Sequence, residues 1–241
     1  MTQVAFTKMH GLGNDFVIVD GRDGDLAIGG TQARAIGDRR RGVGFDQLLI
    51  LEPAKDAAAD LFMRILNPDG SEAEACGNGT RCVAARVMDE LGRDTLNIET
   101  VAGVLATTTG ADGLVTVDMG PANLEWRQIP LAVEADTLHL DIENGPLRDP
   151  VAVNIGNPHM VFFVDDADAI DVAGLGPALE SHPLYPERTN VEICSLSGPD
   201  QLRMRVWERG AGITQACGSG ACAAGVAAAR RGRKSYWTAD R

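Results

Sequence analysis

No stretch of this sequence is both long and apolar enough to cross a bilayer. The longest uncharged run, Gly210 to Ala229, is mostly Ala and Gly with Thr, Gln and Ser among them, far less apolar than the roughly 20 residues of a spanning helix. The opening segment MTQVAFTKMHGLGNDF has neither a basic region nor an apolar one, which argues against export. Positive charge is also short: 22 Lys and Arg face 34 Asp and Glu, for a net charge of −12. A field of that sign repels phosphate backbones and anionic lipid, so neither nucleic acid nor membrane is expected as a partner. No Cys-x-x-Cys pair occurs, and the histidines at 10, 139, 159 and 182 are scattered, which argues against a zinc site. The cysteines, Cys76, Cys82, Cys194, Cys217 and Cys222, are odd in number and lack the dense spacing of a disulfide scaffold. These absences predict a cytoplasmic protein with free thiols and no metal.

The 241 residues suffice for one large domain or two of about 120 residues. Hydrophobic residues make up 44% and charged ones 23%, the proportions of a globular chain rather than a disordered one. The sequence repeats itself. 73-AEACGNGTRC-82 returns in altered form as 214-TQACGSGACA-223, and 13-GNDFVIVD-20 as 156-GNPHMVFFVD-165. Aligning Gly13 on Gly156 sets 46-DQLLIL-51 against 189-TNVEIC-194, with Gln47 opposite Asn190. The ten residues 67-NPDGSEAEAC-76 and 208-ERGAGITQAC-217 both end on a cysteine. Landmarks recurring in one order imply two halves built on one plan, 1–120 carrying Cys76 and 121–241 carrying Cys217. Helices are expected over 31–40, over 77–91 with Gly92 as its C-cap, and over 218–231. The alternating runs 114-LVTVDM-119 and 131-LAVEADTLHLDI-142 read as strands, and Gly145-Pro146 as a turn.

Both cysteine helices begin directly after Cys-Gly. A helix N-terminus leaves amides without partners and carries partial positive charge, so it favours an anion or a thiolate. Cysteine placed there has its pKa lowered from about 8.5. The Gly-x-Gly that follows lets a carboxylate reach the amides of Gly77, Asn78, Gly218 and Ser219. A free cysteine is often just a small core residue, but two in matching contexts point to paired chemistry. Halves facing a common cleft would set two thiols on opposite sides of one ligand, as required to lift a proton from one face of a stereocentre and return it to the other. Such a pair titrates as a coupled system. Cys82, Cys194 and Cys222 are expected to pack in the cores.

The segments 8-KMHGLGNDFVIVD-20, 67-NPDGSEAEACGNGTRC-82, 154-NIGNPHMVFFV-164, 189-TNVEI-193 and 207-WERGAGITQACGSGACAA-224 resemble diaminopimelate epimerases, over nearly the whole length. The resemblance implies a mixed α/β (α+β) fold of two pseudo-symmetric halves, each a curled, mostly antiparallel sheet around a central helix, with the active site between them. It implies cofactor-independent interconversion of LL- and meso-diaminopimelate, a small-molecule substrate, by an enzyme expected to be a homodimer. Cys76 and Cys217 become the two-base pair, and Gly77, Asn78, Gly218 and Ser219 the donors to the carboxylate beside the reacting carbon. Asn14, Gln47, Asn67, Asn157 and Asn190 become the amides holding the substrate, although turn chemistry alone would account for Asn14 and Asn157. Arg209 suits the far carboxylate and Glu208 the far ammonium. His159 and Glu208 match positions that adjust the cysteines; a turn histidine satisfied by the backbone is the plainer account of His159.

The family usually continues past the second helix with further strands, whereas this chain ends 230-RRGRKSYWTADR-241, polar and basic. An exposed apolar edge near that helix, with low solubility, is therefore expected. Three other functions remain open: a proline or hydroxyproline racemase, whose substrates lack a distant charged end for Glu208-Arg209; an inactive relative; and a thiol redox protein pairing Cys76 with Cys217.

Overall fold

Residues 3–24, 26–198 and 201–233 are described in a computed structural model, which divides into two units, Met1–Gly120 and Pro121–Arg241. In the first, β1 (Thr7–Gly11) and β2 (Asn14–Asp20) form a hairpin across Leu12 and Gly13, both at positive φ, 53° and 86°. Two such residues in succession make the turn that matches strand twist. Next come α1 (Gly30–Gly37), β3 (Gln47–Glu52), β4 (Leu61–Leu66), β5 (Glu72–Ala73), α2 (Gly77–Leu91), β6 (Thr95–Thr100), β7 (Gly103–Thr109) and β8 (Val115–Val117). The sheet runs β1-β2-β3-β4-β6-β7-β8 with β5 on β4, parallel at β2/β3 and β4/β6 and antiparallel elsewhere. Its central strands are apolar on both faces because both are covered. Phe16, Ile18, Leu49 and Leu51 pack on Val83, Val87 and Met88 of α2, while Val17, Val19, Leu48 and Ile50 pack with Ala33 and Phe45. Helix α2 touches β1 and β8, the two ends of the sheet order, so the sheet curls around it.

The second unit contains β9 (Glu143–Asn144), β10 (Leu147–Arg148), β11 (Val151–Asn154), β12 (Pro158–Phe163), α3 (Val172–Glu180), β13 (Asn190–Gly198), β14 (Gln201–Glu208), β15 (Gly212–Ile213) and α4 (Gly218–Arg230). β9 and β10 form a hairpin across Gly145-Pro146. The larger sheet runs β11-β12-β13-β14-β15, parallel only at β12/β13. Its register repeats that of the first unit: Phe16 pairs with Gln47 across β2/β3, and His159 with Asn190 across β12/β13. Met160, Phe162, Val191 and Ile193 join Leu140, Ile142 and Leu179 in one core. Alternate residues point the other way, where α4 lies on β11 to β14 through buried Ala223, Ala224, Ala227 and Ala228.

Some expectations need correction. Residues 131–142 form no strand: the Ala132 amide donates to Leu184 O, Leu140 to Pro150 O, and Leu138 to Asp136 Oδ1. Leu131, Leu140 and Ile142 are nevertheless buried, so the alternation there reflects burial alone. The first helix stops at Gly37 instead of 40, because Asp38 Oδ1 accepts the Arg40 and Arg41 amides at 2.8 and 3.1 Å and turns the chain. Cys82 and Cys194 are buried as expected, but Cys222 is exposed, on the side of α4 turned from the sheet. Helix α3 was not foreseen, since Gly174, Gly176 and Pro177 all weaken helices. It is capped by Asp171, whose Oδ1 accepts the Gly174 amide at 3.1 Å. From residue 234 the polar tail lies outside the described residues, and so does whatever would complete or expose the edge expected there. Among the described residues no helix is long and apolar enough to cross a membrane.

Candidate active site

Each unit starts its cysteine helix in the same way. Cys76 is the N-cap of α2, extended at φ −149°, and its sulfur accepts the Gly79 amide at 3.3 Å. Cys217 is the N-cap of α4 at φ −127°, and its sulfur accepts the Gly220 amide at 3.4 Å. Sulfur is a weak acceptor as a thiol and a stronger one as a thiolate, so this cap favours the ionised form. Gly77, Asn78, Gly218 and Ser219 fall in the first turn, where no intrahelical carbonyl reaches an amide.

Around Cys76 the first unit gathers buried amides. Asn78 Nδ2 donates to Asn14 Oδ1 at 3.3 Å, and Gln47 Nε2 donates to Asn67 Oδ1 at 3.2 Å. Asn14 Nδ2 in turn donates to Asp46 Oδ2 at 3.0 Å, which also takes the Asp15 amide. Asn14 follows a turn, as its sequence suggested, yet its side chain is 6% exposed and held by Asp46 and Asn78 rather than spent on that turn. A Cβ on Gly79 would approach Leu49 to 3.0 Å and the Cys76 sulfur to 3.3 Å, so the helix start sits directly on β3.

The second unit surrounds its cysteine with ionisable groups. Burial pushes the Cys217 thiol well above its usual pKa, and the Glu208 and Glu192 carboxylates push the same way, against the Ser219 hydroxyl and the Gly220 amide. Glu208, on β14, accepts the Thr214 hydroxyl, and burial raises its pKa. His159 is wholly buried, with Nδ1 2.7 Å from Glu192 Oε1 and Nε2 2.8 Å from Asn157 Oδ1. The histidine is thus satisfied by two side chains and not by backbone. Asn190 Nδ2 donates to Pro158 O at 3.0 Å and its Oδ1 accepts the Arg209 amide at 2.9 Å, which anchors β13 to the Glu208-Arg209 corner. The Arg209 guanidinium reaches Glu187 O at 3.1 Å.

Asn14 therefore meets Asn78, next to Cys76, and Gln47 meets Asn67 in the first unit; in the second, Asn157 meets His159, Asn190 meets Arg209, and Ser219 and Glu208 act on Cys217. Asp46 and Glu192 were missed. Asp46 left no mark in the sequence, being an acid in a loop. Glu192 did leave one: it is the single charge in 189-TNVEIC-194, in a strand otherwise fit for the core.

The family model for diaminopimelate epimerase matches residues 6–125 and 151–237. A diaminopimelate epimerase of Rhodospirillum centenum is 61% identical over 94% of this chain and 78% of its own length. One from Erythrobacter litoralis is 52% identical over 95% of this chain and 83% of its own length. Among solved structures, a hydroxyproline epimerase from Agrobacterium vitis superposes with a TM-score of 0.67, over 95% of this chain and 77% of that one, at 18% identity. That distance shows a shared fold alone, a mixed α/β architecture with curled sheets. At the sequence level, the match through both cysteine helices shows that this chain belongs to the diaminopimelate epimerase family, whose members are isomerases.

Proposed function

We propose that the chain interconverts LL- and meso-2,6-diaminopimelate, with Cys76 and Cys217 as a thiolate and thiol that exchange roles at each turnover. The observation that carries this reading is the matched sulfur cap: two Cys-Gly-x-Gly helix starts with the same geometry, one per half. An α-hydrogen beside a carboxylate is a weak acid, so the transition state must shed charge onto that carboxylate. Amides of Gly77, Asn78, Gly218 and Ser219 donate to the carboxylate oxygens that carry the charge, each preorganised donor contributing on the order of 3 kcal/mol. One sulfur removes the proton and the other delivers one to the opposite face, which inverts the centre. Burial and two carboxylates push the Cys217 thiol above its usual pKa, which favours Cys217 as a proton donor.

Asn14, Gln47, Asn67, Asn157 and Asn190 hold the substrate, and Arg209 grips its far carboxylate with two parallel hydrogen bonds. Glu208 suits both the far ammonium and the cysteine; its carboxylate raises the Cys217 pKa and its Oε1 is held by Thr214, which favour the second role. The product would feed lysine and peptidoglycan precursor synthesis. Chiral chromatography of LL-diaminopimelate incubated with reduced protein tests the reading. Meso product is expected, with proline and hydroxyproline untouched. Conversion of either control, or no conversion by a folded sample with both thiols free, overturns it.

A further inference from the structure

The two halves share strand register but differ at one buried pair. Beneath α2 stand Phe16 and Leu49, both fully buried, and a Cβ on Gly79 would touch Leu49. The matching positions beneath α4 are His159 and Glu192, also fully buried, and a Cβ on Gly220 would lie 2.8 Å from Glu192 Oε1 and 3.2 Å from the Cys217 sulfur. An apolar pair has become an ionisable one where the repeat otherwise holds. Burying such a pair costs stability unless its groups are fully bonded, and Glu192 Oε2 has no hydrogen-bond partner among the described residues. A carboxylate kept under that penalty needs a use.

We propose that Glu192 is a positioning residue for the second cysteine: it orients Asn157 through His159, and it faces Cys217 across Gly220. The proposal rests on the epimerase reading above. Nε2–H of His159 donates to Asn157 Oδ1, and one proton lies between Nδ1 and Glu192 Oε1. The imidazole therefore cannot turn, and Asn157 keeps its Nδ2 for other partners. Gly220 lacks the Cβ that would separate carboxylate from sulfur, so the charge on Glu192 reaches the thiol directly. Other groups facing Glu192 are Tyr185, Cys194, Glu208 and Cys217, drawn from the loop after α3 and from β13, β14 and α4. The position matching Glu192 in the first unit is Leu49, so the two repeated helix starts rest on chemically different strands.

Glu192→Gln keeps shape and removes charge. The double variant His159→Phe with Glu192→Leu copies the first half. Epimerisation, thermal melting and the pH dependence of iodoacetamide labelling at Cys217, read by peptide mass spectrometry, are compared with the parent. Expected for Glu192→Gln are a kcat lower by about 10- to 100-fold, a KM raised as Asn157 loses its orientation, a nearly unchanged melt, and Cys217 labelling that begins at lower pH. The double variant should melt cooperatively and lose at least as much activity; it decides the matter if Glu192→Gln does not fold. Unchanged kcat and an unchanged labelling profile overturn the proposal. A parent that turns over no diaminopimelate overturns the epimerase reading instead, and the labelling profile alone then decides the role of Glu192.

Discussion

The Cys217 sulfur lies 3.4 Å from the backbone nitrogen of Gly220, which donates to it. This is the bond Gly79 makes to Cys76 at 3.3 Å, yet Cys217 is buried beside two carboxylates and Cys76 is half-buried. If both sulfurs move protons, neither is dispensable. Cys76→Ser and Cys217→Ser should each lower epimerisation by about 10²- to 10⁴-fold, with melting temperatures close to the parent's. A variant retaining parental activity would remove that cysteine from the proton-transfer pair.

Alkaline stability follows from the same burial. Cys217 and Cys194 are both raised by desolvation, and Tyr185 likewise. An unfolded cysteine ionises near pH 8.5 and an unfolded tyrosine near 10. Between those values and the higher folded ones, the native state holds protons that the unfolded state has lost, so stability falls as pH rises. Urea midpoints should therefore decline from about pH 8.5 upward, and Cys194→Ala should lessen that slope. A midpoint that rises over this range would contradict the shift.

Asp46 fixes the Asn14 amide so that Oδ1 faces Asn78. Asp46→Ala should raise KM for diaminopimelate by about tenfold, the worth of one charge-assisted hydrogen bond. Steady-state kinetics on a variant with parental circular dichroism would show it, and an unmoved KM would place Asn14 outside the binding set.

Gly176 lies inside α3, where alanine ordinarily stabilises a helix by up to about 1 kcal/mol. Here a Cβ would sit 2.5 Å from the Trp207 indole, whose Nε1 is bonded to Glu180 Oε2 at 2.7 Å. Gly176→Ala should instead destabilise by about 1–3 kcal/mol, measurable in chemical denaturation. A more stable variant would mean that the indole moves freely.

The repeat was legible because it is written in rigid signals: Gly-Asn turns, apolar runs of fixed length, and Cys-Gly at a helix start. Those signals located β2, β12, α2, α4 and their sulfur caps. Alternation misled at 131–142, where Leu140 and Ile142 fill a core from turns whose amides bond to scattered carbonyls. Helix α3 was hidden because its glycines and proline lower propensity, while packing against Trp207 and the Asp171 cap restore the helix. Within the site, the amides and cysteines were readable as motifs. The acids behind them were not, since Asp46 and Glu192 act through Asn14 and His159, and such pairing appears only when strands align.

The central claim, that two thiols work on opposite faces of one carbon, is tested most directly by proton NMR of LL-diaminopimelate in D₂O with reduced protein. The account predicts that early meso product carries solvent deuterium at the inverted α-carbon while remaining LL-substrate keeps its hydrogen. Deuterium entering recovered substrate as fast as product would require a single base exchanging on one face, and would contradict it.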